Sequence, residues 1–253
     1  MSIADHDIIT DRYFFPRPAS VGDAQVVDVG EAQLACYFHD GGHDLTVVHF
    51  HGNGEVVADY IPGFANQLDQ LGVNTFFAEY RGYGGSTGTP RLGAMLDDVG
   101  AIREAVGVPD EKLLVFGRSV GSIYAIEFAA RFPEISGLIV ESGIADVLER
   151  ILLRASPQQM GTTLEAMTDE FENLFDHRKK LEAFDGPALF LHAEYDHLVD
   201  KSHAERNAEW TGSKTRLVIF EEGDHNSIFF VNRQRYLDEL DRFFELVRAV
   251  GFT

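Results

Sequence analysis

The sequence predicts an α/β chain built on one doubly wound, mostly parallel sheet of eight (or seven) strands. Three observations carry this reading. Short, nearly continuous apolar runs rich in valine, leucine and phenylalanine recur along the chain, as in strands whose two faces are both covered. Longer amphipathic stretches alternate with them, as crossover helices require. At 253 residues the chain suits one large domain, which can bury a full core without disulfides or metal. Residues 1–253 are therefore read as a single domain.

Seven runs read as strands: "QLACYFH", "LTVVHFH", "NTFFAEY", "KLLVFG", "SGLIVES", "PALFLHA" and "TRLVIFEE". "QVVDVG" adds an eighth at the edge. Between them, "VADYIPGFANQLDQLG" has helical spacing and ends in glycine, a C-terminal signal. "LGAMLDDVGAIREAVG" sets Leu92, Leu96, Val99, Ile102 and Val106 on one face. "SIYAIEFAARF" is stopped by Pro133. The last helix, "SIFFVNRQRYLDELDRFFELVRAV", aligns Tyr236, Leu240, Phe243, Phe244 and Val247. Residues 144–184 interrupt the alternation. Ile144, Val147, Leu148, Ile151 and Leu152 form one helical stripe, which stops at Pro157. Leu164, Met167, Phe171, Leu174 and Phe175 form another. Two readings stay open for 144–184: ordinary sheet-packing helices, or a small helical lid or cap.

Charge and composition exclude some functions. With 41 acidic and 21 basic residues the net charge is −20, so nucleic acid and anionic membrane surfaces would be repelled. The single cysteine, Cys36, lies in the apolar run "LACYF" and reads as strand packing. The start "MSIADHDIITDRYFFPRPAS" lacks the basic and apolar regions of a signal peptide. No stretch approaches the ~20 apolar residues of a membrane helix. A soluble, cytoplasmic protein with no membrane anchor is expected. Its oligomeric state has no sequence signal.

The chemistry concentrates at strand ends. Gly117-Arg118-Ser119-Val120-Gly121 follows "KLLVF" and precedes a helix, the setting of a strand–turn–helix elbow that exposes a serine nucleophile. A serine needs a base. His225, in "EEGDHNS", follows the strand "TRLVIFEE", so it reaches the same sheet edge, where parallel sheets gather their ligands. His192 lies inside a strand and reads as a core histidine. His6, His39, His43, His177 and His203 sit in polar or terminal contexts and read as exposed. A carboxylate must hold the base. Asp196, in "LFLHAEYDHLVD", is the candidate, with Asp200 as runner-up and Glu141 a weaker substitute; Glu194 points elsewhere. The turn His51-Gly52-Asn53-Gly54 also ends a strand. There the backbone N–H of Asn53, with that of Val120, would form an oxyanion hole.

These motifs, "HGNG", "EYRGYGGSTG", "GRSVGS", "YDHLV" and "GDHN" in that order, resemble the α/β-hydrolase superfamily over nearly the whole chain. "RGYGGS" with "GRSVG" and "ESG" is similar to its serine-aminopeptidase-like branch, which includes bacterial esterases and eukaryotic depalmitoylases. The resemblance implies ester, thioester or amide hydrolysis, and makes "RGYGGSTG" a structural loop near the pocket mouth. Those depalmitoylases carry an N-terminal cysteine cluster for membrane attachment; this chain lacks one.

The expectation is a serine hydrolase, a carboxylesterase with Ser119, His225 and Asp196 as a catalytic triad and no cofactor or metal. Met160, Leu164, Met167 and Phe171, as pocket or lid residues, together with the negative net charge, point to a small, uncharged, hydrophobic ester as substrate. A peptidase or thioesterase using the same residues, and a ligand-binding protein on a hydrolase fold, remain alternatives.

Overall fold

The computed structural model describes residues 2–251. The apolar runs form eight strands: β1 (Gln25–Asp28), β2 (Gln33–His39), β3 (Leu45–Phe50), β4 (Val73–Ala78), β5 (Leu113–Arg118), β6 (Gly137–Glu141), β7 (Ala188–Ala193) and β8 (Thr215–Phe220). They make one sheet in the order β1-β2-β4-β3-β5-β6-β7-β8. β2 runs antiparallel to both its neighbours, and every pair from β4 across to β8 is parallel. Every residue of β3, β4, β6 and β7 is buried. This is why those runs lack polar alternation, whereas the edge strand β8 alternates.

The helices cover both faces. Alternate strand residues Val48, Phe50, Val115 and Val140 pack with α3 (Ala94–Val106) and α4 (Gly121–Arg131) in one cluster. Val47, Leu114, Phe116 and Ile139 pack with α2 (Gly63–Gln70) and α10 (Arg233–Gly251) in another. The period of two along each strand thus divides its side chains between two cores.

Four local details depart from the sequence reading. "VADYIPGFANQLDQLG" is a 3-10 turn, Val57–Tyr60, followed by α2, because Pro62 offers no N–H to continue one helix. The final helix is split into α9 (Ile228–Val231) and α10 at Asn232, whose amide donates to the Ile228 and Glu222 carbonyls at 2.9 and 2.8 Å. A short α1 (Asp7–Tyr13) was not foreseen, nor was the extent of α8 (Ser202–Thr211). Just before α1, the Asp5 carboxylate accepts the N–H groups of Gly93 and Ala94 and caps α3.

Residues 144–184 form α5 (Val147–Leu152), a 3-10 turn (Pro157–Met160), α6 (Leu164–Phe175) and α7 (His177–Glu182). Asp146, Thr163 and Asp176 cap α5, α6 and α7 through side-chain oxygens. Among the described residues no helix is long and apolar enough to cross a membrane.

Candidate active site

The turn between β5 and α4 is unusually tight. Ser119 sits at φ +54, a left-handed conformation that costs a non-glycine residue roughly 1–3 kcal/mol. The glycines two residues on either side make it sterically feasible. A Cβ on Gly117 would lie 2.6 Å from the Ala125 Cβ and from the Gly121 carbonyl oxygen. One on Gly121 would lie 2.1 Å from the Phe50 carbonyl oxygen. Hydrogen bonds then hold the turn. The Ser119 N–H donates to the Glu141 carbonyl at 2.9 Å, and the Ser122 N–H and hydroxyl donate to the Ser119 carbonyl at 3.0 and 2.6 Å.

The loops after β7 and β8 bring two further residues to this turn. Ser119 Oγ lies 2.9 Å from His225 Nε2, and His225 Nδ1 lies 2.7 Å from Asp196 Oδ2. In the tautomer that serves both contacts, Nδ1–H donates to Asp196 and Nε2 accepts the serine hydroxyl. The other Asp196 oxygen accepts the Leu198 and Val199 N–H groups at 2.9 and 2.8 Å. Burial alone would raise the Asp196 pKa; the His225 hydrogen bond and charge and the Val199 N–H outweigh it and hold it below the usual carboxylate value. Asp196 is therefore an anion fixed against the imidazole ring.

Asn53 lines the same cavity as Ser119, Val120 and His225, a space of about 130 Å³. Neither the Asn53 nor the Val120 backbone N–H has an acceptor among the described residues. The Asn53 side chain is occupied elsewhere: its oxygen accepts the Tyr83 hydroxyl at 2.7 Å and the Phe15 N–H at 3.0 Å, and its amide donates to the Tyr13 carbonyl. Tyr83, from "RGYGGSTG", thus braces this turn. His51 anchors it from below, with Nε2 2.6 Å from Glu79 Oε1 and Nδ1 2.8 Å from the Gly52 carbonyl oxygen. Burial would lower the His51 pKa, but the Glu79 hydrogen bond and charge raise it.

Sequence reasoning missed Arg118. Its guanidinium lies 2.5 Å from Glu55, donates to Glu141 at 2.9 Å and donates to the His225 carbonyl at 2.8 Å. Glu141 also accepts the Tyr236 hydroxyl. One half-buried side chain at the end of β5 thus joins the end of β6 to the turns after β3 and β8. Its only sequence signal was its place inside the elbow. Tyr13 and Phe15 were missed as well, and both line the cavity.

Other expected residues lie elsewhere. Met160, Leu164, Met167 and Phe171 do not line the cavity at Ser119, whose walls on that side come from Ile144, Arg150, Arg154 and Leu198. The apolar stripe of α6 turns inward: Met167 and Phe171 are buried in the main core and Leu164 is half exposed. Asp200 caps the start of α8 through the Ser202 N–H, and Glu194 pairs with Lys201. Glu141 serves Arg118 rather than His225. His192 is a core residue, 2.9 Å from the Val199 carbonyl oxygen. His177 and His203, expected at the surface, are buried. The capping of α7 and α8 turns them inward, where His177 Nδ1 meets the Ile144 carbonyl at 2.8 Å and the Ala145 N–H meets His203 Nδ1 at 3.1 Å.

The protein-family model described as "Serine aminopeptidase, S33" matches residues 41–170. The uncharacterized protein YfhR of Escherichia coli K12 is 24% identical over 193 residues, which are 73% of this chain and 64% of YfhR. The match therefore spans less than two thirds of that relative. Among solved structures, Est1E from Butyrivibrio proteoclasticus, determined with ferulic acid bound, superposes with a TM-score of 0.75 at 17% identity, covering 89% of this chain and 100% of Est1E. The Pyrococcus furiosus esterase Pf2001 does so at 0.72 and 16%, covering 91% and 98%. Both have the same open, mostly parallel sheet with flanking helices.

Proposed function

The chain belongs to the serine aminopeptidase family of the α/β-hydrolase superfamily, and from that premise we propose that it is a serine hydrolase, a carboxylesterase for small esters. The observation that carries this reading is the unbroken run from Ser119 Oγ to His225 at 2.9 Å and from His225 to Asp196 at 2.7 Å, on a serine held at positive φ. His225 Nε2 takes the hydroxyl proton as Ser119 Oγ attacks the ester carbonyl. The Asn53 and Val120 N–H groups receive the oxyanion; one such donor contributes about 3 kcal/mol in the transition state. The imidazolium returns its proton to the leaving alkoxide. His225 then activates a water, which cleaves the acyl-enzyme and releases the acid. Asp196 orients the ring and stabilises its charged form.

The cavity's size and its apolar walls, including Ile144, Leu198 and Val199, favour a small hydrophobic acyl or alcohol group. The expectation of an uncharged substrate rested on net charge and on residues 160–171. It loses that support, because the cavity's permanently charged side chains are arginines.

Hydrolysis of 4-nitrophenyl acetate, with Ser119→Ala as control, tests the proposal. The variant should fall to background, and a fluorophosphonate probe should label Ser119 in the parent. Wild-type turnover in Ser119→Ala refutes the mechanism. Absence of labelling on folded protein refutes the activated nucleophile and favours a binding protein on this fold. A thioester and an aminoacyl anilide assayed alongside separate the thioesterase and peptidase alternatives.

A further inference from the structure

The charged side chains that line the cavity at Ser119 are opposite in sign to the net charge of the chain. The chain carries 41 acidic and 21 basic residues. Yet among the described residues the cavity is lined by Arg118, Arg150 and Arg154 and by no Asp or Glu. At physiological salt charges separated by more than about 8 Å are largely screened, and the nearer carboxylates are already engaged, Glu55 and Glu141 by Arg118 and Asp196 by His225, so Arg150 and Arg154 set the charge at the wall.

The three are not equivalent. Arg118 is neutralised from behind by Glu55 and Glu141. Arg154 donates to the Arg12 carbonyl at 3.1 Å and lies over the Phe15 ring at 5.4 Å. Arg150 is half-buried on α5, and its guanidinium has no hydrogen-bond or ion-pair partner among the described residues. Its sequence neighbour Glu149 turns to Arg206 and His203 instead. The chain has 41 carboxylates available, and this arginine at the cavity meets none of them. Tyr13, on the same wall, has its phenol pKa pushed up to about 12 by burial, with Arg150 and Arg154 pulling it down. Arg150, Arg154 and Tyr13 all line the cavity.

A guanidinium that is partly desolvated and unpaired is matched by a carboxylate, which it can grip with two parallel N–H donors. We propose that Arg150, flanked by Arg154, determines specificity by holding a free carboxylate on the substrate, so that the preferred ester is itself an acid. This rests on the esterase reading and adds its substrate class. The carboxylate belongs either to the acyl part, as in the half-ester of a short dicarboxylic acid, or to the alcohol part.

The test compares matched esters on the full chain. Monomethyl glutarate against dimethyl glutarate, followed by pH-stat, places the charge on the acyl side. 4-Acetoxybenzoate against 4-acetoxybenzamide places it on the leaving group. In one pair the charged ester should have a kcat/KM about tenfold higher, mainly through KM, as a charge-assisted contact provides. That ratio should collapse towards one in Arg150→Gln, persist in part in Arg150→Lys, and invert in Arg150→Glu. It should also shrink as NaCl is raised. Turnover of the neutral esters with no preference for either charged partner overturns the inference and leaves the esterase reading standing. So does a ratio that survives Arg150→Gln. If none of the four esters is turned over by folded protein, both readings fall.

Discussion

Replacing Arg118 by methionine keeps most of the side-chain volume and deletes the cation. The guanidinium is only 12% exposed, and its partners Glu55 and Glu141 are 26% and 5% exposed. The ion pairs themselves contribute little net stability, because their desolvation offsets their attraction. Breaking them is another matter, since Glu141 is left buried with only the Tyr236 hydroxyl to face it. An uncompensated buried charge costs about 3–5 kcal/mol. Adding Glu141→Gln replaces that charge with a neutral amide, which still accepts from Tyr236, and should recover at least half of the loss. Urea unfolding followed by emission of the single tryptophan, Trp210, measures both variants. Because Arg118 also holds the His225 carbonyl at 2.8 Å, kcat/KM on 4-nitrophenyl acetate should drop about tenfold or more even where the protein is folded. If Arg118→Met loses under about 1 kcal/mol, or if the double variant is no more stable than the single one, the account of Arg118 is wrong.

Other expectations follow from the same geometry. Gly121→Ala forces a Cβ to 2.1 Å from a backbone oxygen, so it should cost on the order of 4 kcal/mol or more, read as a large fall in melting temperature. Asp196→Asn should lower kcat roughly 10³–10⁴-fold with little change in KM, because the amide can hold His225 in the wrong tautomer. For Glu79→Gln the loss should depend on pH. The His51 pKa is raised in the folded state, so the stability it contributes is complete below its ordinary value of about 6.5 and is lost as pH rises through the raised value. The variant should therefore be destabilised more at pH 6 than at pH 9 in parallel denaturation curves. With a net charge of −20, the melting temperature should rise between low and molar salt as self-repulsion is screened.

The central strands were legible because a strand covered on both faces must be apolar throughout, and few other segments are; β1, β2 and β8, at or near the edges, were legible as short β-branched and aromatic runs instead. Ser119, Asp196 and His225 were legible because each lies just past a strand end, and parallel strands collect their loops at one edge. Arg118 was not. Its partners come from the end of β6 and the turns after β3 and β8, and nothing in their spacing announces that they meet. The pocket wall was misread for a related reason. Helical period shows that Met167 and Phe171 share a face, but not which neighbour that face meets, and here it meets the core. His177 and His203 mislead through their polar sequence neighbours, which are the capping residues and charged outer faces of α7 and α8. α1 escapes pattern reading because seven residues are too few for a periodic signal. Tertiary contacts, such as Tyr13 and Phe15 against Asn53, hold it in place.

Ser119 and His225 are 106 residues apart in the chain, and that distance imposes an order on the assembly of the site. The elbow and the Asn53 turn are made early in synthesis, while His225 arrives roughly 5–20 s later at ordinary translation rates. A ribosome-stalled chain ending before β8 should carry the serine yet take up no fluorophosphonate. On the proposed mechanism, reactivity is thus withheld until the last parallel strand and the loop after it have docked, so an incomplete chain would hold a serine that cannot act.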